Sequence, residues 1–290
     1  VFFVFGMPFF VGGIISELGF NQSQANLVSS AEIAGMALSS MLGFFWIQKF
    51  RWRTIAYFGI AVIVAGNLIS SIEFSDEHSF PLFLTVRFIT GLFGHGLCFS
   101  LGVAAIGRTI NPDKNFSYTI AAQVIMGSLT ALLVPIAMSK YGIVGMTYPA
   151  IALAVIGLYF IKDLNDGKQS ELNNINTDGS SKMLFLPLIG LLIMAIWQMG
   201  VGPFFNNLVP YGINNGLSGD AIGRALFIST AMSIIGPISA SMLIGKIDRS
   251  YAVFGALSIQ ILIIMSFSGE ITWIGFMLRA ICFQVAWNFV

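Results

Sequence analysis

Long apolar stretches without charged residues follow one another along almost the whole sequence. Gly, Asn, Pro and charged clusters separate them, and they lie near residues 1–16, 24–47, 54–72, 80–106, 117–139, 143–161, 183–205, 221–245, 251–268 and 272–290. Their lengths suit helical membrane crossings, which need about 20 residues each. They lack the period-two alternation that a membrane β-barrel requires. The pattern therefore predicts an all-α integral membrane protein with ten transmembrane helices.

Composition strengthens this prediction. Of the 290 residues, 56% are hydrophobic and 9% are charged, whereas soluble domains contain about 25% charged residues. A soluble enzyme with one apolar anchor is therefore excluded. The 14 Lys and Arg residues balance the 13 Asp and Glu residues to a net charge of +1. We expect no nucleic-acid partner, because phosphate binding needs a concentrated basic surface.

Cysteine and histidine are too sparse to indicate a metal centre. Cys98 and Cys282 lie inside apolar stretches, where a small core residue is a plainer interpretation than a disulfide or metal pair. His78 and His95 are too far apart in the sequence for a recognisable zinc site. The sequence contains no phosphate-binding Gly-rich loop that would indicate ATP, and no clustered catalytic constellation that would indicate an enzyme. We expect no metal, no cofactor and no enzymatic activity.

The distribution of basic residues over alternate loops predicts the orientation in the membrane. One set of loops holds ten of them: Lys49, Arg51, Arg53, Arg108, Lys114, Lys162, Lys168, Lys182, Lys246 and Arg249. The other set holds Lys140, with Arg224 just inside an apolar stretch. Because Lys and Arg concentrate in cytoplasmic loops, the first set, and with it the N-terminus, is predicted to lie in the cytoplasm.

A polar segment divides the chain. Residues 163–182 are rich in Asn, Asp, Gly, Ser and Lys and have no apolar periodicity, which is typical of a flexible linker. The predicted domains are an N-terminal six-helix bundle over 1–162, this cytoplasmic linker, and a C-terminal bundle over 183–290 that contains four helices.

The two predicted domains share landmarks at a nearly constant offset. The turn Gly19-Phe20-Asn21 is similar to Gly216-Leu217-Ser218, which follows 197 residues later. The basic turn after the second predicted helix corresponds to the one after the eighth. Arg87 and Arg279, each inside an apolar stretch, are 192 residues apart. These matches predict a duplication of six helices.

The fourth predicted helix contains Arg87-Phe88-Ile89-Thr90-Gly91, followed by Gly94 and Gly96. An arginine followed by small residues in this helix is similar to motif B of the major facilitator superfamily of secondary transporters. The order of six helices, a cytoplasmic linker and further helices resembles the same family over essentially the whole chain. The resemblance implies two six-helix bundles, with the start of helix 1 and helices 11 and 12 missing from this sequence.

The turn after the second helix partly matches the family's motif A, Gly-x-x-x-Asp-Arg-x-Gly-Arg. Gly43 and Arg51 match, but Ile47 stands in the place of the Asp. The copy in the second half keeps a Gly, an Asp and an Arg and is one residue shorter between the first two. The residues that the resemblance implies for the cytoplasmic gate are Gly43, Arg51, Gly245, Asp248 and Arg249.

Three polar residues inside the first predicted bundle are candidates for proton coupling. A charge inside a bilayer costs about 2.5 kcal/mol or more unless it is paired or hydrated. Glu32 and Arg87 both lie about 10–12 Å from the outer end of their helices, so their depths permit an ion pair. Such a pair has two interpretations: it only stabilises the bundle, or Glu32 takes up a proton and releases Arg87. His95, about 80° around the helix from Arg87, is either a proton relay or a neutral hydrogen-bonding residue.

In the resembling family, helices 1, 4, 7 and 10 line a central cavity. An arginine, amides and indoles suit a partly polar or anionic organic solute, with Arg279 or Arg87 contacting a carboxylate or phosphate. Packing against lipid or core is the alternative for the tryptophans. Gln123, like Asn67, also suits an interhelical hydrogen bond. The candidates for the substrate cavity are Arg279, Trp197, Gln198, Gln284, Trp287, Asn288 and Gln123.

The leading hypothesis is a secondary active transporter that moves a small organic solute by alternating access and is coupled to protons. We expect it to be a multi-pass monomer in the plasma membrane, here the bacterial inner membrane, with solute, protons and lipid as its partners. A membrane solute sensor or receptor that does not transport is the alternative from another class. Among transporters, a facilitative uniporter and a drug exporter are the alternatives.

Overall fold

The computed structural model describes residues 2–47, 49–72, 79–164, 182–243, 246–269 and 271–289. His78, Gly245 and most of the predicted linker lie outside the described residues, as does the side chain of Arg249. The described part of the chain is all-helical, as the sequence predicts.

The helices follow one another in an order close to that of the apolar stretches, and one of them continues as a short π-helix, here called the π segment. They are α1 (Phe2–Glu17), α2 (Gln22–Trp46), α3 (Trp52–Ile69), α4 (Phe80–Ile89), the π segment (Thr90–His95), α5 (Gly96–Gly107), α6 (Pro112–Tyr141), α7 (Val144–Ile161), α8 (Lys182–Asn206), α9 (Leu208–Asn214), α10 (Gly219–Met232), α11 (Ile235–Leu243), α12 (Arg249–Ser266) and α13 (Trp273–Phe289).

Within the described residues, five helical stretches are long and apolar enough to cross a bilayer. They are Trp52–Ile69, Phe80–Gly107, Tyr118–Tyr141, Val144–Ile161 and Gly219–Ala240. Shorter apolar helices cover Phe2–Glu17 and Ser250–Ser266. The chain is therefore a multi-pass membrane protein, and the number of ten crossings stays a prediction.

One predicted crossing is divided, and another is followed by a separate short helix, where a proline removes a backbone donor. The stretch near 221–245 divides into α10 and α11 around Ser233, because Pro237 has no N–H to donate to the Ser233 carbonyl. The stretch near 183–205 ends with α8 at Asn206, and the short helix α9 follows. Pro210 likewise has no N–H to continue the ladder at the Asn206 carbonyl. The apolar pattern alone did not predict α9.

The turns before α2 and α10 have the same local structure. Gly19 and Gly216 adopt positive φ angles of 67° and 81°, a backbone conformation that favours glycine. Asn21 caps α2 in a reciprocal capping box with Gln24, and Ser218 caps α10 by accepting from the backbone N–H of Ala221 at 3.3 Å. The turns that the sequence matches at an offset of 197 residues thus start their helices in the same way.

The helices group into two compact units by their contacts. The Glu32 unit consists of Leu18–Pro112 and Thr147–Asn206, and the Arg279 unit consists of Val1–Glu17, Asp113–Met146 and Asn207–Val290. This grouping differs from the predicted domains 1–162 and 183–290, and the division into six-helix bundles stays a prediction.

Each unit has its own packed interior. In the Glu32 unit, the core contains Trp52, Ala56, Ile60, Leu101 and Ile161. In the Arg279 unit, α13 lies against α10, and the indole N–H of Trp273 donates to the backbone oxygen of Ala221 at 2.7 Å. Gly223 permits α10 to approach α6 closely, because a Cβ on Gly223 would lie 3.0 Å from the backbone oxygen of Ala131. These contacts fix the helices that position the candidate residues.

Candidate functional site

Glu32 on α2 and Arg87 on α4 form an ion pair inside the Glu32 unit. Both side chains are fully buried. The guanidinium donates to both carboxylate oxygens, from Nε to Oε2 at 3.0 Å and from Nη2 to Oε1 at 2.5 Å. This bidentate geometry is the strongest arrangement available to an arginine and a carboxylate. Glu32 and Arg87 lie at similar depths in their helices, and the structure shows the ion pair that these depths allow.

The remaining guanidinium nitrogen of Arg87 contacts α3 and its C-terminal end. Nη1 lies 3.3 Å from Asn67 Oδ1 and 3.3 Å from Ser70 Oγ, and both residues are buried. Asn67 thus makes the interhelical hydrogen bond that its sequence position suggested. Ser70 was missed, because a serine that ends a helix near the membrane surface has no distinctive pattern. Arg87 therefore connects α4 both to α2 and to the end of α3.

His95 approaches the same carboxylate. Its Nδ1 lies 3.9 Å from Glu32 Oε1, a distance at which a protonated imidazole would attract the carboxylate but would not donate a hydrogen bond to it. His95 is the last residue of the π segment. A π-helix turns less per residue than an α-helix, so the separation of about 80° expected between Arg87 and His95 is reduced. The site therefore contains one acid facing two basic side chains.

Glycines bring the backbones of α2 and the π segment into contact beside the ion pair. A Cβ on Gly35 would lie 2.6 Å from the backbone oxygen of Phe88 and 2.7 Å from the backbone nitrogen of Leu92. A Cβ on Gly91 would overlap the backbone oxygen of Glu32. The small residues that resemble motif B thus hold Glu32 against its partners.

In the Arg279 unit, Gln284 of α13 contacts α10, and Asn288 and Trp287 contact other residues of α13. Gln284 is buried and donates from Nε2 to the hydroxyl of buried Ser229 at 3.0 Å, and Asn288 donates to the backbone oxygen of Gln284 at 3.0 Å. The ring of Trp287 lies 5.7 Å from the ring of Phe283. Gln284 is thus bonded to a neighbouring helix, and its place in a substrate cavity stays a prediction.

Arg279 lies on α13 beside the C-terminal end of α12. Its guanidinium carbon is 5.9 Å from the centre of the Phe267 ring. Its Nη1 is buried and has no hydrogen-bond acceptor among the described residues.

The structure does not assemble all cavity candidates within one unit. Trp197, half-buried, and Gln198, exposed, lie on α8 in the Glu32 unit. Gln123, half-buried, lies on α6 in the Arg279 unit. A cavity formed by these candidates stays a prediction. A polar contact that the sequence did not predict joins α8 to α2, where Asn206 donates to buried Ser29 at 3.3 Å.

The residues that resemble motif A lie at the ends of helices. The backbone oxygen of Gly43 accepts from the N–H of Ile47 at the end of α2, and Arg51 is exposed at the N-cap of α3 without a side-chain cap. Asp248 is the N-cap of α12 and accepts from the backbone N–H of Ser250 at 2.8 Å. A gate formed by these residues stays a prediction.

The cap of α12 gives a pH-dependent contribution to stability. The hydrogen bond from the backbone N–H of Ser250 lowers the pKa of the exposed Asp248 carboxyl below its usual value, about 3.9. The contribution is therefore complete above the usual pKa and is lost as the pH falls through the lowered pKa of the folded state. We expect Asp248→Asn, which still offers a capping oxygen, to reduce the loss of melting temperature on acidification. An unchanged acid profile would contradict this role.

Comparison with known proteins identifies the family. The family profile described as Major Facilitator Superfamily matches residues 1–290. The chain belongs to the major facilitator superfamily. Members of this family are transporters, so the ion pair between α2 and α4 belongs to a transport protein. A search of curated proteins finds no match.

Solved structures show that the fold is shared despite low sequence identity. A crystal structure of a D-xylose-proton symporter superposes with a TM-score of 0.68 at 15% identity, over 99% of this chain and 77% of the symporter chain. A crystal structure of the peptide transporter POT superposes with a TM-score of 0.58 at 15% identity, over 99% of this chain and 77% of the other. At this identity the likeness establishes the major facilitator fold.

Proposed function

We propose that the chain is a secondary active transporter that moves a small organic solute by alternating access and is coupled to protons through Glu32. The observation that carries this proposal is the buried carboxylate of Glu32, bound in bidentate form by Arg87 with His95 at 3.9 Å. The structural neighbours named as a D-xylose-proton symporter and a peptide transporter support a transport function of this kind.

Charge balance explains how a proton would act at this site. With Glu32 ionised, the pair with Arg87 is neutral, which lowers the cost of burying both groups. A proton on Glu32 would leave the guanidinium without its counter-charge and would remove one of its two best acceptors. Arg87 would keep its contacts with Asn67 and Ser70. Protonation would thus weaken the link from α4 to α2 and preserve the link from α4 to α3.

Protonation would thus weaken the contact of α4 with α2 but not its contact with α3. Such a change can favour one conformation of the protein over another. Among the described residues, the charged or titratable side chains that face Glu32 are Arg87 and His95. Protonated His95 would partly stabilise the carboxylate through its own charge. We propose that it is the second residue of the proton pathway.

The pattern of basic loops supports a further part of the proposal. Ten Lys and Arg residues occupy one set of predicted loops, against two on the other side. We propose a location in the plasma membrane, with the N-terminus in the cytoplasm.

Transport into proteoliposomes tests the proposal. Full-length protein would be tested with a panel of labelled sugars, peptides, organic acids and nucleosides, with and without an inward proton gradient. We expect gradient-driven uptake of at least one solute, and we expect Glu32→Gln to abolish the effect of the gradient while exchange of solute across the membrane continues. Exchange needs solute binding and alternating access but no net proton movement, so its survival would show that the variant is folded.

Asp220→Asn is the matched control. Asp220 is exposed and pairs with Arg224 one helical turn away, so its carboxylate is neutralised without being buried. We expect the proton dependence of this variant to equal that of the original protein. Unchanged uptake rate and unchanged pH dependence in Glu32→Gln would refute coupling at Glu32. If uptake by the original protein were independent of the proton gradient, the protein would be a uniporter. If no solute were transported, the protein would be a sensor.

A further inference from the structure

Arg279 lies 192 residues after Arg87, close to the offset of 197 residues at which two earlier pairs of helices align. Helices α2 and α10 begin with the same turn at an offset of 197 residues. Helices α3 and α12 are both 18 residues long. Their C-caps, Ser70 and Phe267, are again 197 residues apart. Two pairs of helices can therefore be aligned residue by residue without a gap.

The contacts of the two arginines agree with this alignment. Arg87 contacts the hydroxyl of Ser70, the C-cap of α3, and Arg279 lies near the ring of Phe267, the C-cap of α12. Each arginine thus reaches the end of the preceding aligned helix in its own unit.

The polar partners of the arginine are not preserved. At an offset of 197 residues, the acid Glu32 corresponds to Ser229, Asn67 corresponds to Ile264 and Ser70 corresponds to Phe267. Ser229 is buried and its hydroxyl is bonded by Gln284 at 3.0 Å. The second half therefore lacks the carboxylate, the amide and the hydroxyl that bind the guanidinium in the first half.

Among the residues that the structure describes, this loss leaves Arg279 without a counter-charge. In the described ranges, no acidic side chain lies within ion-pair distance of Arg279, and its buried Nη1 finds no acceptor there. A charged group inside the membrane costs several kcal/mol unless it is paired, and such residues mark substrate or ion pathways. A guanidinium offers a planar set of donors that fits a carboxylate or a phosphate.

We propose that Arg279 binds the anionic group, a carboxylate or a phosphate, of the solute that the protein transports. The inference rests on the proposed function, because it names the class of that solute. The two arginines then have different roles: Arg87 is neutralised by an acid of its own unit, and Arg279 is neutralised by the cargo. A neutral solute would leave Arg279 uncompensated, so the site selects anions.

Ligand-induced stabilisation of the full-length protein tests this assignment. The protein would be placed in nanodiscs of phosphatidylcholine and titrated at constant ionic strength with matched pairs of probes: benzoate and benzamide, lactate and lactamide, glycerol 3-phosphate and glycerol. We expect at least one anion to raise the melting temperature and its neutral counterpart to leave it unchanged. Equal stabilisation by both members of every effective pair, or by neither member of any pair, would overturn the inference.

Variants identify the residue. A hydrogen-bonded charge pair contributes enough that Arg279→Gln should weaken binding of the effective anion about tenfold or more, whereas Arg279→Lys should keep part of it. The control is Arg224→Gln, which removes an exposed arginine already paired with Asp220 and should bind as before. Should Arg279→Gln not fold, the binding constant of Arg279→Lys decides, and equal affinity in that variant counts against the assignment.

Two further arms separate the sources of the anion. Repeating the titration in phosphatidylglycerol nanodiscs tests whether a lipid phosphate occupies Arg279; loss of soluble-anion binding there would assign the site to lipid and overturn the inference. Glu270→Gln tests an acid of the chain itself, and improved anion binding in that variant would show that Arg279 already has a partner. Binding does not require flux, so anion binding without transport would refute the proposed function alone.

Discussion

Arg87→Met is expected to destabilise the protein by about 3–5 kcal/mol, the cost of removing one partner from a buried ion pair. The reason is the carboxylate that remains. Glu32 is fully buried and accepts two hydrogen bonds from Arg87. The variant would either keep an unpaired charge in the membrane or bind a proton at Glu32. Reversible unfolding of the full-length protein in mixed detergent micelles measures the change.

A double-mutant cycle separates the ion pair from the space that it fills. Glu32→Leu with Arg87→Met replaces both charges by apolar groups of similar size, and such replacements are often neutral or stabilising. We expect the double variant to recover most of the stability lost in Arg87→Met. The control is Arg224→Met, which breaks an exposed pair with Asp220 and should change stability by less than about 1 kcal/mol. Additive effects of the two buried substitutions would show that the pair is not coupled.

The same double variant decides between the two interpretations of the ion pair. If the pair only stabilises the bundle, a stable double variant should transport normally and keep its proton dependence. If Glu32 carries the coupling proton, the double variant should be stable and should have lost the effect of the gradient. We therefore expect the double variant to keep its stability and to lose proton-driven transport. Stability depends on filling the interior of the protein, whereas proton coupling depends on a titratable group.

Helix existence and the ion pair were predictable from the sequence because both depend on local, one-dimensional quantities. Apolar length predicts crossings, and counting residues from the outer end of each helix placed Glu32 and Arg87 at similar depths. The turns at Gly19 and Gly216 were predictable for the same reason, since a glycine followed by a capping residue is a short sequence pattern.

The rest of the site depends on features that such counting does not contain. The π segment changes the direction of His95, and a π-helix has no clear sequence signature. The bond from Gln284 to Ser229 was not predictable either, because the face that a helix turns to its neighbour follows from packing. The break between α10 and α11 was not predictable from Pro237 alone, because membrane helices often tolerate a proline.

Gly35→Ala and Gly91→Ala are the second pair of substitutions for which we expect a large effect. A Cβ on Gly35 would lie 2.6 Å from the backbone oxygen of Phe88, and a Cβ on Gly91 would overlap the backbone oxygen of Glu32. These obstacles are backbone atoms, which cannot change rotamer, so α2 and the π segment must move apart. Overpacking of this kind costs about 1–3 kcal/mol, and occasionally more. Unfolding in mixed micelles measures the loss.

Gly102→Ala is the matched control, because Gly102 lies on α5, in the same membrane-spanning stretch, and a Cβ there would contact nothing within 4 Å. Alanine favours a helix over glycine by up to about 1 kcal/mol, so this variant should be as stable as the original protein or more so. Stability of Gly91→Ala equal to that of Gly102→Ala would contradict the close approach. Because separation of the two backbones also moves Glu32 away from Arg87, the destabilised variants should lose proton-driven uptake as well. Retained coupling in a destabilised Gly91→Ala would mean that the contact between α2 and the π segment serves stability alone.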